Sequence, residues 1–424
     1  MTGAGPDERA DAVVVGAGLT GLVTAVRLAR TAGPGRRVLL LEAGGEPGGR
    51  ARTTDHRGYR LGLGPRALYR TTRDELRALG VRVPGGEPDL SGSLALRDGA
   101  LHPGYAAPGP LLRTGLLAPR ERLAVARLLA LSRGRPNLAG TDAARWLADR
   151  LPTERAREAA FAVLRVSAYA GRPEMIDAGA LAAHFAGVRR GVTYVDGGWR
   201  TLVDALLGRA RALGVETRTG CRVTAVEGGA RPRLTLADGH GIRARSVVLA
   251  GLPQRAAHRL LDEPGPAGPP GRPLHTACLD VALSRLPDPR RTLVLGVDEP
   301  LYLSVASQTA RLAPDGGAVL HLARYDDGSG LGATEVRKRL DELLDLCQPG
   351  WREVLVHERF LPRITTMTAV PEARTGGLPG RPGPRVPGRP GVFVAGDWVG
   401  PRGLLADACV LSGARAAEEA AARL

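Results

Sequence analysis

Four residues near the N-terminus carry the first recognisable chemistry. Gly16, Gly18 and Gly21 stand at the spacing G-x-G-x-x-G, and Glu42 follows 21 positions after the third glycine. The first glycine permits a tight turn, the second lets backbone approach a pyrophosphate, and the third allows close helix–strand packing. Leu19 and Thr20 open the helix, whose free N–H groups and partial positive charge suit phosphate. Glu42, with Ala43 behind it, would accept hydrogen bonds from ribose hydroxyls. In a chain with 58 glycines among 424 residues, such spacing alone says little. Its flanks give it weight. Ala12–Val15 reads as a buried parallel strand, Leu22, Val26 and Ala29 mark one helical face, and Val38–Leu41 reads as a second strand. Strand, helix, strand and acid together predict a dinucleotide site.

Immediately beyond lie Gly48, Gly49 and Arg50. The segment EAGGEPGGRART resembles the E-A-x-x-x-x-G-G-R segment of the flavin amine oxidase, protoporphyrinogen oxidase and phytoene desaturase superfamily. The resemblance implies bound FAD, with Arg50 against the pyrophosphate, where a guanidinium can make two charge-assisted contacts. It also implies that the glycine-rich stretch 56–69 runs beneath the flavin ring, with Gly62, Gly64 and Arg66 as its neighbours.

A second motif closes the chain. Val392–Ala395 reads as a strand, Gly396-Asp397 as a turn, and the residues from Gly403 onward as a long helix. This is similar to the superfamily's second FAD motif. By that likeness Asp397 bonds the ribityl chain or the phosphates, and the helix start at Gly403, Leu404 and Leu405 faces the flavin pyrimidine carbonyl. The physics agrees, because reduced flavin carries negative charge near that carbonyl and a helix N-terminus stabilises anions. The segment DGGWRTLVDALL, from Asp196, matches a third family element, whose following strand implies an adenine contact at Val223.

The predicted fold is α/β plus α+β, a Rossmann-type FAD-binding domain with an inserted substrate domain of antiparallel sheet and helices. The nucleotide domain takes residues 1–82, 193–265 and 385–424, and the substrate domain takes 83–192, mostly helical, and 266–384, sheet plus helix. Residues 217–226 read as one strand, and 263–273, rich in Pro and Gly, as a crossing between domains.

Composition excludes several classes. The formal charge is +16, yet Lys338 is the only lysine, and the arginines are spread along the chain without forming a basic run. Aromatic residues are 4%, so the basic clusters interleaved with rings that nucleic-acid binding needs are missing. Cys221, Cys278, Cys347 and Cys409 show no metal-ligand spacing and read as buried thiols of a reducing cytoplasm. No segment is apolar enough to span a bilayer, and the acidic N-terminus is unlike a signal peptide. A cytoplasmic protein is expected, with peripheral contact at the inner membrane left open. Segment 111–133 reads as packed helix, since Arg120 and Arg127 share one side while Arg122 and Arg133 lie opposite.

Flavin N5 accepts a hydride from a C–H bond, so no dedicated base is required and none stands out. Lys338 sits on a predicted outer helix, away from the position near N5 where many amine oxidases of this family place a lysine. Trp398 is the one ring near the closing motif, which argues against an aromatic amine cage. The expected reaction is FAD-dependent dehydrogenation of an apolar small molecule, as in phytoene desaturase-like enzymes. Tyr169, His275, Tyr302 and Tyr325 are the candidate polar groups of the pocket. The FAD is expected to be non-covalent, as Cys409 lies within the closing helix, where the family carries no link. The electron acceptor is left open among oxygen, quinone and nicotinamide. An amine or amino-acid oxidase is the alternative. A flavin-free prenyl-lipid carrier of the GDP-dissociation-inhibitor type is a further one, against which the intact Gly16, Gly18, Gly21, Glu42, Arg50 and Asp397 speak.

Overall fold

The computed structural model describes residues 7–90, 92–131, 138–262 and 271–424. Five fully parallel strands form its first layer, in the order Glu216–Arg218, Val38–Leu41, Ala12–Val15, Ser246–Ala250, Val392–Ala395. Apart from the edge strand Glu216–Arg218 these strands are buried throughout, which is why they read as unbroken apolar runs. The register aligns Val15 with Leu41 and Leu249, and Leu249 with Val394. Gly16, Glu42, Gly251 and Gly396 therefore all emerge along one edge of the sheet, where open α/β sheets hold their ligands. Helices Leu19–Ala32 and Leu405–Ala421 pack together on one face. Their close approach depends on small residues: a Cβ on Gly413 would lie 2.9 Å from Thr24 Oγ1 and 3.0 Å from the Thr20 carbonyl.

A second sheet of seven strands runs Leu355–Met367, Leu274–Leu283, Ala318–Tyr325, Leu301–Val305, Leu293–Gly296, Leu94–Arg97, Ala100–Pro103. It is antiparallel except where Leu293–Gly296 meets Leu94–Arg97. Val336, Leu340, Leu343 and Leu344 of the amphipathic helix Ala333–Cys347 cover one face. The helices Pro108–Arg113, Pro119–Leu131, Ala143–Ala148, Glu154–Ala168 and Ala178–Val188 share a separate apolar core. Asp142, Thr153 and Asp177 cap three of them, accepting from Arg145 N–H at 2.8 Å, Ala156 N–H at 3.2 Å and Ala180 N–H at 2.8 Å.

One sequence expectation is corrected here. Residues 217–226 form two strands in different sheets, Glu216–Arg218 and Val223–Glu227. Gly220 stands between them at φ +69°, a left-handed turn that ends one ladder and redirects the chain to the next. Most of the expected crossing at 263–273 lies outside the described residues, as does Arg133. No helix among the described residues is long and apolar enough to cross a membrane.

Candidate functional site

The sheet edge that gathers the glycine turns opens into a cleft of about 970 Å³, lined at one end by Glu42 and Val223 and at the other by Arg66 and Tyr169. Gly16 sits at φ +100°, and a Cβ there would strike the Ala250 carbonyl at 2.5 Å. A Cβ on Gly21 would come within 1.7 Å of the Gly16 carbonyl, so only glycine lets this helix start where it does. Gly18 differs. Its Cβ would meet only the Gly48 carbonyl, at 3.9 Å, so the space before it belongs to the cleft. Gly48, at φ +119°, donates its N–H to the Ala17 carbonyl at 2.8 Å and fixes the second glycine turn against the first.

Glu42 accepts from Ala17 N–H and from Gly44 N–H, both at 2.8 Å, one on each carboxylate oxygen. Each oxygen keeps a lone pair that could accept a hydroxyl. Arg50 and Asp397 form the centre. Asp397 is 1% exposed and accepts from Arg50 Nη1 at 3.0 Å, from Thr368 N–H at 3.0 Å and from the Thr368 hydroxyl. Burial disfavours its charge, but Arg50 and Thr368 outweigh burial and hold its pKa below the usual carboxylate value. Arg50 lines the cleft with part of its donor fork committed to Asp397 and the Thr366 carbonyl.

Beyond this pair lie Leu63, Pro65, Arg66, Tyr69, Tyr169, Ile364 and Leu405. Tyr169 and Leu405 both hold left-handed backbone, φ 60° and 51°, strained for such residues and more often tolerated at functional positions. Arg66 lies 5.1 Å over the Trp199 ring and donates to the Leu63 carbonyl at 3.3 Å, while among the described residues its Nε has no hydrogen-bond partner and its guanidinium no carboxylate. Burial lowers its pKa. A cross-strand triad holds the loop that presents it. Asp280, fully buried, pairs in register with His321 on one side and Arg359 on the other. It accepts from His321 Nδ1 at 2.6 Å and Arg359 Nη2 at 2.7 Å, and Arg359 also donates to the Gly62 carbonyl.

The remaining predicted residues fall into two groups. Leu19, Thr20, Ala43, Gly49 and Val223 line the cleft. Gly64, Gly396, Gly403 and Leu404 stand behind its wall. A Cβ on Gly64 would meet Cys278 Sγ at 2.4 Å, Gly396 N–H donates to Ser412 Oγ at 3.0 Å, the Gly403 carbonyl accepts from Arg381 at 2.8 Å, and Leu404 is fully buried in the helical core.

Of the four pocket candidates only Tyr169 reaches the cleft, and its hydroxyl is tethered to the Pro65 carbonyl at 2.7 Å. Tyr325 is packed behind it edge-to-face, with centroids 5.6 Å apart. Tyr302 is buried against Tyr194, 3.1 Å between hydroxyls, and His275 pairs with Thr365 at 3.4 Å on strand Leu274–Leu283. Strand pairing turned these side chains elsewhere. Trp398 is likewise withdrawn, donating to the Leu252 carbonyl at 2.9 Å. Two rings that the sequence reading did not place there, Tyr69 and Trp199, line the cleft beside Tyr169. Sequence reasoning also missed Thr366 and Thr368, whose only signal was a strand approaching the closing motif. Cys409 lines the cleft as well, its thiol pushed up to about 11, mainly by burial.

A parallel nucleotide-type sheet, a glycine-lined cleft and a second sheet beyond it define a flavoenzyme of two interleaved parts. The chain belongs to the flavin-containing amine oxidoreductases, whose family model matches residues 19–278. It is an FAD-dependent oxidoreductase. Solved structures share the fold along nearly their whole length. An oxidoreductase from Methanosarcina mazei has a TM-score of 0.76 at 19% identity, covering 95% of this chain and 98% of that one. A putative protoporphyrinogen oxidase from Exiguobacterium sp. 255-15 has a TM-score of 0.70 at 20% identity, covering 100% of both. Cyclohexylamine oxidase from Brevibacterium oxydans has a TM-score of 0.71 at 17% identity, covering 98% of each. Among curated proteins no significant match is found.

Proposed function

We propose that the protein dehydrogenates an apolar small molecule that carries no positive charge, in the manner of phytoene desaturase-like enzymes. Bound FAD supplies the hydride acceptor, and the chain supplies the rest. Glu42 would take the ribose hydroxyls, the turn at Gly16 and Gly18 with Arg50 would take the pyrophosphate, and Val223 would lie at the adenine end, all of them lining the cleft. Asp397 would hold the ribityl end, and the helix that starts at Leu405 would offer its free N–H groups to the pyrimidine carbonyl. The division into FAD-binding residues 1–82, 193–265 and 385–424 and substrate-domain residues 83–192 and 266–384 belongs to the same reading.

The observation that carries the substrate class is Arg66. Beyond Asp397 the wall is made of Leu63, Ile364, Leu405 and two tethered tyrosines, and the charge there is the Arg66 guanidinium, with no carboxylate partner among the described residues. An ammonium substrate would meet a like charge and no acid. Tyr69, Tyr169 and Trp199 offer faces that welcome cations and so favour an amine, but Arg66 already lies over Trp199. Lys338, 66% exposed on the outer helix, takes no part.

The test is the visible spectrum of the purified, FAD-loaded protein under anaerobic conditions. Bleaching of the flavin band by a polyene and not by amines is the expected result. Bleaching by amines alone gives the site to the amine oxidases. A protein that takes up no FAD overturns the enzymatic reading and leaves the lipid-carrier one.

A further inference from the structure

We propose that the helical hairpin formed by Pro108–Arg113 and Pro119–Leu131 is a docking surface for an anionic lipid bilayer. Among the described residues the two most exposed large apolar side chains are Leu112, at 57%, and Leu123, at 47%, and both lie on this hairpin. The two helices pack together, and Arg122 ties them by donating to the Leu117 and Leu112 carbonyls, both at 2.9 Å. This contact changes the reading of the helix's charge. Arg122 is spent inside the hairpin, so it does not oppose the outer face. Arg120, Leu123 and Arg127, spaced i, i+3 and i+7, fall on one side of the second helix and are all exposed. Exposed Arg113 adjoins Leu112, and Arg189, exposed at the end of Ala178–Val188, donates to the Leu129 carbonyl at 2.8 Å.

Arg113, Arg120 and Arg127 make no ion pair among the described residues, unlike Arg27, Arg37 and Arg218 of the parallel-sheet region. Their neighbourhood explains why. Between Asp98 and Asp142 the sequence has six arginines and one acid, Glu121. That acid is buried and committed to Ala118 N–H at 2.7 Å and Thr153 Oγ1 at 2.5 Å. The surface therefore combines unneutralised arginines with leucines left in water. Single exposed leucines are ordinary, but two framed by free guanidinium groups match the headgroup–acyl boundary of an anionic bilayer. The inward side of the hairpin contributes Leu111, Leu116, Leu117, Val125 and Leu128 to a core that continues to Leu404 and, partly buried, to the cleft residue Leu405. Docking here would set the substrate end of the molecule close to a reservoir of apolar compounds.

The experiment is co-sedimentation of the full-length, FAD-loaded protein with vesicles of phosphatidylcholine alone and of phosphatidylcholine mixed equally with phosphatidylglycerol. Binding to the mixed vesicles should exceed binding to neutral ones and fall as salt is raised. Replacing Arg113, Arg120 or Arg127 by Gln should weaken it roughly fivefold each. Leu112→Ser with Leu123→Ser should weaken it further at unchanged flavin content, and Arg290→Gln, an 88% exposed arginine elsewhere, should not change it. No binding to anionic vesicles, or binding retained by the triple arginine variant, overturns the proposal. The readout needs no substrate, so it stands or falls apart from the reaction proposed above.

Discussion

Arg50 and Asp397 lie 347 positions apart in the chain and meet at 3.0 Å, each supplied by one of the two glycine motifs that frame the cleft. The pair joins the start of the nucleotide fold to its end. It also leaves the cleft centre with a cation that faces inward and a carboxylate that water does not reach, at 38% and 1% side-chain exposure. Substituting Arg50→Met strands the carboxylate. Breaking a fully buried pair costs roughly 3–5 kcal/mol, and with Arg50 partly exposed and Thr368 still bonded about 2 kcal/mol is expected. Urea denaturation of the flavin-free protein checks this, and adding Asp397→Asn should recover most of the loss. A midpoint equal to wild type in Arg50→Met would show that the pair does not hold the motifs together.

Gly18 and Gly21 should separate binding from folding. A methyl on Gly21 would overlap the Gly16 carbonyl at 1.7 Å, so Gly21→Ala should yield little folded protein. A methyl on Gly18 meets only the Gly48 carbonyl at 3.9 Å, and its φ of −75° suits alanine. Gly18→Ala should therefore melt like the wild type without FAD, yet bind FAD at least about tenfold more weakly, because its Cβ stands where the second glycine admits the pyrophosphate. Thermal melts with and without FAD, together with a fluorescence titration, decide the matter. Unchanged FAD affinity in Gly18→Ala would remove this glycine from the site.

His184 gives the fold a defined acid sensitivity. It is 4% exposed, shares the Ser167 carbonyl with the Tyr69 hydroxyl at 3.1 and 3.2 Å, and burial depresses its pKa from 6.5 to about 4. The unfolded imidazole binds its proton first. The stabilisation from keeping it neutral is complete above pH 6.5 and is lost as pH falls toward 4, about 3 kcal/mol in all. The variant His184→Gln, which can keep the bond to Ser167, should flatten that part of the stability–pH curve. Parallel slopes for the two proteins between those pH values would mean that another group carries the sensitivity.

The nucleotide half was legible because its information is local. Gly16, Gly18 and Glu42 sit at fixed offsets from two apolar strands, and Asp397 follows its strand directly in a segment that resembles the family's second motif, so local pattern placed four residues that line the cleft. The outer helix that carries Lys338, Ala333–Cys347, was legible for the same reason, as a run with one apolar face. The substrate end was not. Whether Tyr302 or Tyr325 reaches the cleft depends on which strands pair and in what register, while Tyr169 enters it from the left-handed C-cap of helix Glu154–Ala168. The register that aligns Asp280 with both His321 and Arg359 is decided by contacts across the whole seven-stranded sheet. Arg122 illustrates the same limit on a helix, since periodicity set its angle about the axis but only the packing of the neighbouring helix turned its guanidinium onto the Leu112 and Leu117 carbonyls. By itself the sequence determined the nucleotide fold, the family and the FAD. Tertiary structure alone decided that Arg50 meets Asp397, that Arg66 meets no carboxylate among the described residues, and that Leu112 and Leu123 face water, because each outcome depends on residues far apart in the chain.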